Sequence, residues 1–265
     1  FATIAKAIAQ GRCIYENIRK SVIFLLSSNF GEIITMLVSV ACGFAAPLKS
    51  SHILWINLIT DSLPALALGV DEEENKSYMD RPPRGKDESL FAGGGLNCTC
   101  FYGALIALIS MVAFLQLPVG ILLRAGNQIT PAAIRTLLVD TELLNRCQTY
   151  AFTVLGMSQL FHAIGMRDVE TSLFRMNHLE NRLMIAAFVI GMGLQLLVTE
   201  VPYFVVLFGT CRLTLLEWVK LLVLASMPLF AHELLVFGSC LGEKVNRENR
   251  KEATGQAVSS GGRWS

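Results

Sequence analysis

Long apolar stretches separated by short polar ones dominate the chain, and they predict helices that cross a membrane. A membrane-spanning helix needs about 20 mostly apolar residues. Charged residues fall mainly between the apolar stretches rather than within them. We therefore predict an all-α fold, a polytopic membrane helix bundle whose six transmembrane helices cover roughly residues 21–44, 52–70, 97–123, 147–166, 183–208 and 214–240.

The polar stretches divide the chain further. Residues 1–20 have the pattern of an amphipathic helix, and no Gly or Pro occurs between Cys13 and Phe24, so this helix is expected to run unbroken into the first span. Residues 71–96 are expected to form a cytoplasmic loop within the transmembrane domain, residues 21–240. The remaining residues, 241–265, are charged and then rich in Gly and Ser, which is typical of a disordered tail.

The distribution of Lys and Arg predicts which side of the membrane each loop occupies. Basic residues are more frequent before the first span, in the loops at 71–90 and 167–182, and in the tail than in the alternate connections. Because short cytoplasmic loops carry the excess of Lys and Arg, both ends of the chain are predicted to be cytoplasmic. The three arginines of the 124–146 loop oppose this assignment.

Composition agrees with an integral membrane protein and excludes other classes. Of the 265 residues, 53% are hydrophobic and only 16% are charged, whereas a soluble domain has about a quarter charged residues. The net charge of +1 gives no indication of nucleic-acid binding. The seven cysteines contain no CxxC pair and are interpreted as small buried apolar residues rather than as metal ligands.

Polar residues inside the first two predicted spans suggest a site. Asn29 and Glu32 are three residues apart, and Asn57, Thr60 and Asp61 have i, i+3, i+4 spacing, so each set shares one helical face. A carboxylate within a bilayer is costly and should face a partner, a cavity or an ion. Carboxylate, amide and hydroxyl oxygens together suit Ca²⁺, and the absence of an accompanying His or Cys cluster argues against zinc or copper. The pattern predicts a site for an ion or a proton.

Pro64 is expected to distort the second span at this site. Its ring clashes with the carbonyl of Thr60 and it has no N–H to bond that carbonyl. The helix should therefore loosen near Thr60 and Asp61. Loosened backbone within a membrane is tolerated where it lines a cavity, and it frees carbonyl groups for ion binding.

Other polar residues have simpler interpretations. Asn29 or Thr60 alone could make only an interhelical hydrogen bond, and Gln159 and His162 in the fourth span could serve packing alone. The last two spans are interpreted as scaffold that is kinked by proline, because isolated polar groups such as Gln195 fall mostly near span ends.

Three separated motifs carry a resemblance to a known family. They are IYENIRKSVIFLLSSNFGE, LWINLITDSLPALALGVD and YMDRPPR, in this order along the chain. In these motifs the chain resembles the P-type cation ATPases, specifically the calcium-pumping branch. The resemblance implies that residues 1–20 are the end of the phosphorylation domain and the cytoplasmic stalk of the first span. It implies that the six spans are membrane helices five to ten and that the chain is a C-terminal fragment.

The resemblance also assigns the ion ligands. The positions in this chain that match the family's calcium ligands lie on the first, second and fourth spans: Asn29, Glu32, Asn57, Thr60, Asp61 and Gln159. Pumps of the sarcoplasmic type have a glutamate where Gln159 stands, so one negative charge is lost here. That departure leaves the ion stoichiometry open.

The function that the resemblance implies is ATP-driven Ca²⁺ transport. The chain contains no Asp-Lys-Thr-Gly run, so no catalytic or cofactor-binding residue is assigned to it, and Mg²⁺ and ATP are expected only in the full-length protein. Expected partners are membrane lipid, the upstream domains of the same pump, and H⁺ as a candidate counter-ion. Two alternatives stay open: a pump for Na⁺, K⁺ or H⁺, and a stand-alone membrane ion-binding or interaction module without ATPase activity.

Overall fold

Helices make up the regular secondary structure of this computed structural model, which describes residues 2–71, 89–92, 94–169, 171–173, 175 and 181–238. No strand occurs within these ranges, and the all-α prediction is confirmed. The elements in chain order are α1 (Ala2–Ala41), α2 (Ser50–Trp55), a π-helical turn (Ile56–Thr60), α3 (Ser62–Gly69), α4 (Gly95–Arg124), α5 (Pro131–Leu137), α6 (Thr141–Met166), α7 (Arg182–Glu200), α8 (Pro202–Phe208) and α9 (Leu215–Ala225), followed by helical residues 227–238.

Four helices in the described part of the chain are long and apolar enough to cross a membrane: α1, α4, α7 and the segment Leu215–Gly238. The other two predicted spans do not meet this test. The second is divided into two short α-helices by the π turn, and α6 carries many polar residues. These apolar helices identify the chain as an integral membrane protein. The number of six spans remains a prediction.

Two predicted features of the helices are confirmed, and the prediction of a loop at 124–146 is wrong. Helix α1 runs without a break for 40 residues, and the prediction of an unbroken helix from Cys13 to Phe24, where Gly and Pro are absent, is confirmed. The last two spans are interrupted next to their prolines, at Val201 before Pro202 and at Ser226 before Pro228. The 124–146 segment is not a plain loop.

Two helix caps explain the structure of the 124–146 segment. The side chain of Thr130 accepts a hydrogen bond from the N–H of Ala133 and starts α5, and Asp140 accepts one from Glu142 and starts α6. Helix α6 therefore begins six residues before the predicted span. The YMDRPPR motif and the predicted tail, residues 241–265, lie outside the described residues.

Helix α6 forms the centre of the bundle. Every residue from 147 to 160 is buried, and the helix packs against α1, α4, α7 and α9. By contrast, α1 turns apolar side chains outward, and Ile33 and Leu37 are each 63% exposed. Exposed aliphatic side chains on a long apolar helix are those that lipid would cover. The polar residues of α6 between positions 147 and 160 are thus buried within protein.

Glycines allow α1 and α4 to approach closely. A Cβ placed on Gly31 would lie 2.9 Å from Cγ2 of Ile106. A Cβ on Gly103 would lie 2.7 Å from Cδ1 of Phe30 and 3.1 Å from the carbonyl oxygen of Ser27. Small residues at such contacts let helix backbones pack tightly within membranes.

We expect Gly103→Ala to lower the stability of the protein. The added methyl meets backbone as well as side chain, and overpacking of this kind costs about 1–3 kcal/mol. Gly120→Ala on the same helix is the matched control, because nothing lies within 4 Å of its Cβ position and Ala favours helix over Gly. Thermal unfolding in detergent should show a lower midpoint for the first variant only. Equal midpoints would contradict the close contact.

Candidate cation site

The site is built around the π turn of the second predicted span. The N–H of Asp61 donates to the carbonyl oxygen of Ile56, five residues back, at 2.9 Å. Pro64 follows at the third position of α3, and the helical bonding pattern resumes at Ala65, whose N–H donates to the carbonyl of Asp61. The predicted loosening near Thr60 and Asp61 is confirmed. Single π turns within α-helices are frequent at functional sites.

Glu32 connects three helices at this turn. It is 4% exposed and lies toward the C-terminal end of α1. Its Oε2 accepts a hydrogen bond from Nδ2 of Asn57 at 2.9 Å, and its Oε1 accepts one from Nε2 of Gln159 at 3.3 Å. Asn57 belongs to the π turn and Gln159 to α6. Three residues predicted from separate spans are thus brought together.

Asp61 is a buried acid whose negative charge has no partner among the described residues. Its side chain is 1% exposed, and neither carboxylate oxygen has a hydrogen-bond partner in the described residues. It also lies near enough to Glu32 for the two carboxylates to repel each other. Among the described residues, no Lys or Arg forms an ion pair with either acid. Two buried acids without a basic partner require a cation or protons to offset their charge.

The remaining predicted residues behave differently from one another. Thr60 is 3% exposed and lies beside Gly156 of α6, with its Cγ2 4.0 Å from the position of a Cβ on that glycine. Asn29 is only half-buried, and its Nδ2 donates to the carbonyl of Leu25 in its own helix at 2.9 Å. No contact described here links Asn29 to Glu32. The shared face inferred from their spacing does not bring Asn29 into the cluster.

The donor set fits a cation that prefers oxygen ligands. It contains two carboxylates and two amides, and Oε1 of Gln159 is buried without a hydrogen-bond partner in the described residues. An amide that donates to Glu32 can present its oxygen instead after a half turn about its terminal bond. The described residues contain no group of three or more His, Cys, Asp or Glu that could hold a metal ion. The site would therefore depend on neutral oxygens as well as on its two acids.

His162 is structural within this arrangement. It is 1% exposed, and its ring packs against those of Tyr102 and Phe24, with centroids 4.2 and 5.7 Å away. The interpretation of His162 as a packing residue agrees with these contacts. It brings no oxygen to the cluster.

A second polar cluster holds α1 against the ends of α3 and α6, and we call it the Asp71 cluster: Asn17, Lys20, Asp71 and Arg167. The guanidinium of Arg167 donates to both oxygens of Asp71, at 3.0 and 3.3 Å, and these side chains are 7% and 2% exposed. Nδ2 of Asn17 donates to the carbonyl of Asp71 at 2.6 Å, and Nζ of Lys20 donates to that of Arg167 at 2.5 Å. Charge counting along the chain did not reveal this pair.

Residues at the opposite end of α6 hold the other side of the bundle. Nζ of Lys49 donates to Oδ1 of Asn145 at 2.9 Å and to the carbonyl of Gly209 at 2.8 Å. His52 stacks on Phe152 with ring centroids 4.4 Å apart. The candidate site thus lies between two ends of the bundle that are each held by contacts between helices.

Comparison with known proteins gives one family and several relatives. Residues 45–237 match the family model described as "Cation transporting ATPase, C-terminus". The chain is 39% identical to "Calcium-transporting ATPase 1" of Bacillus cereus over 89% of its length, and 36% identical to "Calcium-transporting ATPase" of Bacillus subtilis over 92%. It is 28% identical to "Calcium-transporting ATPase 3, endoplasmic reticulum-type" of Arabidopsis thaliana over 89%. These alignments cover 26%, 25% and 24% of the relatives, so the chain spans about a quarter of their length.

Proposed function

The chain belongs to the cation-transporting ATPase family, to whose C-terminal model it is matched over residues 45–237, and on this premise we propose that it is the membrane domain of an ATP-driven Ca²⁺ pump. The observation that carries the proposal is the contact of Glu32 with Asn57 and Gln159 between α1, the π turn and α6, with the buried carboxylate of Asp61 at the end of the same turn. The names of the similar proteins from two Bacillus species and Arabidopsis support calcium as the cargo.

The charge balance of the site supports a divalent cargo. Two carboxylates neutralise one Ca²⁺, and amide oxygens complete an oxygen-rich environment. A glutamate in place of Gln159 would add a third acid, so this chain is expected to hold fewer positive charges than a pump with glutamate there. When the cation leaves, Glu32 and Asp61 would take up protons to avoid two uncompensated buried charges. H⁺ is accordingly the expected counter-ion.

The remaining parts of the pump are proposed to lie elsewhere in the full-length protein. ATP and Mg²⁺ would bind domains outside this chain, and α1 would continue toward the phosphorylation domain. In this arrangement the chain crosses the membrane six times, as helices five to ten, with both ends in the cytoplasm. The Asp71 cluster would then lie on the cytoplasmic side and Lys49 on the opposite side.

The test is the cation dependence of ATP hydrolysis by the purified full-length protein. We expect hydrolysis to require Ca²⁺ and not to be activated by Na⁺ or K⁺ in a calcium-free buffer. If a monovalent ion alone activates ATP hydrolysis, the calcium assignment is wrong and the protein is a pump for Na⁺, K⁺ or H⁺. A full-length protein that binds Ca²⁺ but shows no cation-dependent hydrolysis would overturn the assignment to an active pump.

A further inference from the structure

Gln195 is a buried polar residue that the sequence placed in scaffold. It lies in α7, is 2% exposed, and its Oε1 has no hydrogen-bond partner in the described residues. A buried amide oxygen left without a partner destabilises the folded protein. The neighbours of Gln195 in the chain are Leu194 and Leu196, so a leucine would suit the local pattern better. The glutamine is therefore unexplained by packing alone.

Two residues of α6 determine where this oxygen points. Nε2 of Gln195 donates to Oγ1 of Thr153 at 3.3 Å, and in this orientation Oε1 lies on the other side of the amide. Oε1 then faces Gly156, where it lies 3.4 Å from the position that a Cβ would occupy. Cγ1 of Ile56 and Cγ2 of Thr60 lie 3.9 and 4.0 Å from the same position. Because Gly156 has no side chain, nothing from α6 lies between Gln195 and the π turn at this position.

Acceptor oxygens without partners in the described residues occur at the end of this π turn and on the two helices α6 and α7. Asp61 contributes both carboxylate oxygens, Gln159 contributes its Oε1 from the same helix as Gly156, and Gln195 contributes its Oε1 from α7. Acceptors cannot satisfy one another, so each needs a proton donor or a cation. A water beside Gly156 that coordinates a bound cation would donate to Gln195.

We propose that Gln195 is a further residue of the cation site, in which its Oε1 holds a water beside Gly156 that coordinates the divalent cation. This inference rests on the proposed function. Outer partners of this kind orient the groups that touch a metal, and their loss costs roughly 10–100-fold in affinity. Gln195 is a positioning residue, because it acts on the cation through the water.

The experiment compares three variants of the full-length protein. Gln195→Leu removes the oxygen, and Gly156→Ala fills the water position at ordinary contact distances while keeping the amide. Gln148→Leu is the matched control, because Gln148 is also a buried amide, with its Nε2 bonded to the carbonyl of Ala46 at 2.8 Å and its Oε1 unpartnered in the described residues. The readouts are equilibrium binding of radioactive Ca²⁺ and the melting temperature in calcium-free buffer.

We expect Gln195→Leu and Gly156→Ala each to weaken Ca²⁺ binding by about tenfold or more. The calcium-free melting temperature of Gln195→Leu should stay the same or rise, since a buried polar group without a partner has been removed. A purely structural role would instead lower both quantities together. Gln148→Leu should bind Ca²⁺ as the unaltered protein does.

Two results would overturn the proposal. The first is a Gln195→Leu variant that binds Ca²⁺ with unaltered affinity. The second is a loss of Ca²⁺ affinity that is equally large in Gln195→Leu and in Gln148→Leu. Asp61→Asn separates this failure from failure of the proposed function. If Asp61→Asn abolishes binding and Gln195→Leu does not weaken it, only the role of Gln195 is refuted. If the unaltered protein binds no Ca²⁺, both the function and the role of Gln195 are refuted.

Discussion

Asp61→Asn is expected to abolish calcium-activated ATP hydrolysis by the full-length protein. Asn keeps the size of the side chain and one oxygen but removes one of the two negative charges that the site offers a cation. Breaking one member of a desolvated charge pair costs about 2–5 kcal/mol. At about 1.4 kcal/mol for each factor of ten, this is a loss of roughly thirtyfold to several thousandfold in Ca²⁺ affinity.

The same substitution should not destabilise the protein without calcium. Asp61 and Glu32 repel each other, and neither oxygen of Asp61 has a hydrogen-bond partner in the described part of the chain. Where both acids are charged, Asn removes this repulsion, and where they are protonated, Asn is a neutral side chain of the same size, so the calcium-free melting temperature should be unchanged or higher. Measuring both quantities distinguishes loss of a ligand from loss of the fold.

Asp140→Asn is the control for this experiment. Asp140 is exposed, and its side chain caps α6, a role that Asn performs as well as Asp. Its calcium activation should match that of the unaltered protein. If Asp61→Asn also retains normal calcium activation, the assignment of Asp61 as a cation ligand is refuted.

Arg167→Met is expected to give the largest loss of stability. Its guanidinium bonds both oxygens of Asp71, and both side chains are almost fully enclosed. Removing one partner of a buried ion pair leaves an uncompensated charge and costs about 3–5 kcal/mol. The free energy of unfolding, measured in detergent with the full-length protein, should fall by this amount.

Two further variants isolate the ion pair. Because replacing both partners of a buried pair is often nearly neutral, Arg167→Met combined with Asp71→Asn should recover much of the lost stability. Arg124→Met tests an exposed arginine and should change stability by less than about 0.5 kcal/mol. A double variant as unstable as Arg167→Met alone would show that the guanidinium stabilises the fold through other contacts.

The sequence predicted the parts of the site that depend on local chemistry. Pro64 removes a helical hydrogen bond wherever it occurs, so the distortion just before it could be placed from the sequence. Glu32 and Asp61 are too costly in a bilayer to be left without a function, and the structure brings them near each other. That they bind a cation remains a prediction.

The sequence did not predict the contacts that depend on how helices pack. Asn29 shares a face with Glu32, but a half-buried amide can bond a carbonyl of its own helix, and periodicity alone cannot choose between these partners. The sequence of α7 alone marks Gln195 as an isolated polar residue in a scaffold helix, whereas its environment is created by Gly156 on another helix. Asp71 and Arg167 are 96 residues apart, so their pairing appears only after folding.

The unbroken length of α1 has a geometric consequence for the site. At a rise of about 1.5 Å per residue, Glu32 lies about 22 Å along the helix axis from Asn17, where a hydrogen bond joins α1 to the Asp71 cluster. If α1 tilts about this point by only about 5°, the Glu32 carboxylate moves by about 2 Å, which is close to the length of a calcium–oxygen bond. A small tilt of an unbroken helix of this length would therefore be enough to form or break the bond between Glu32 and a cation.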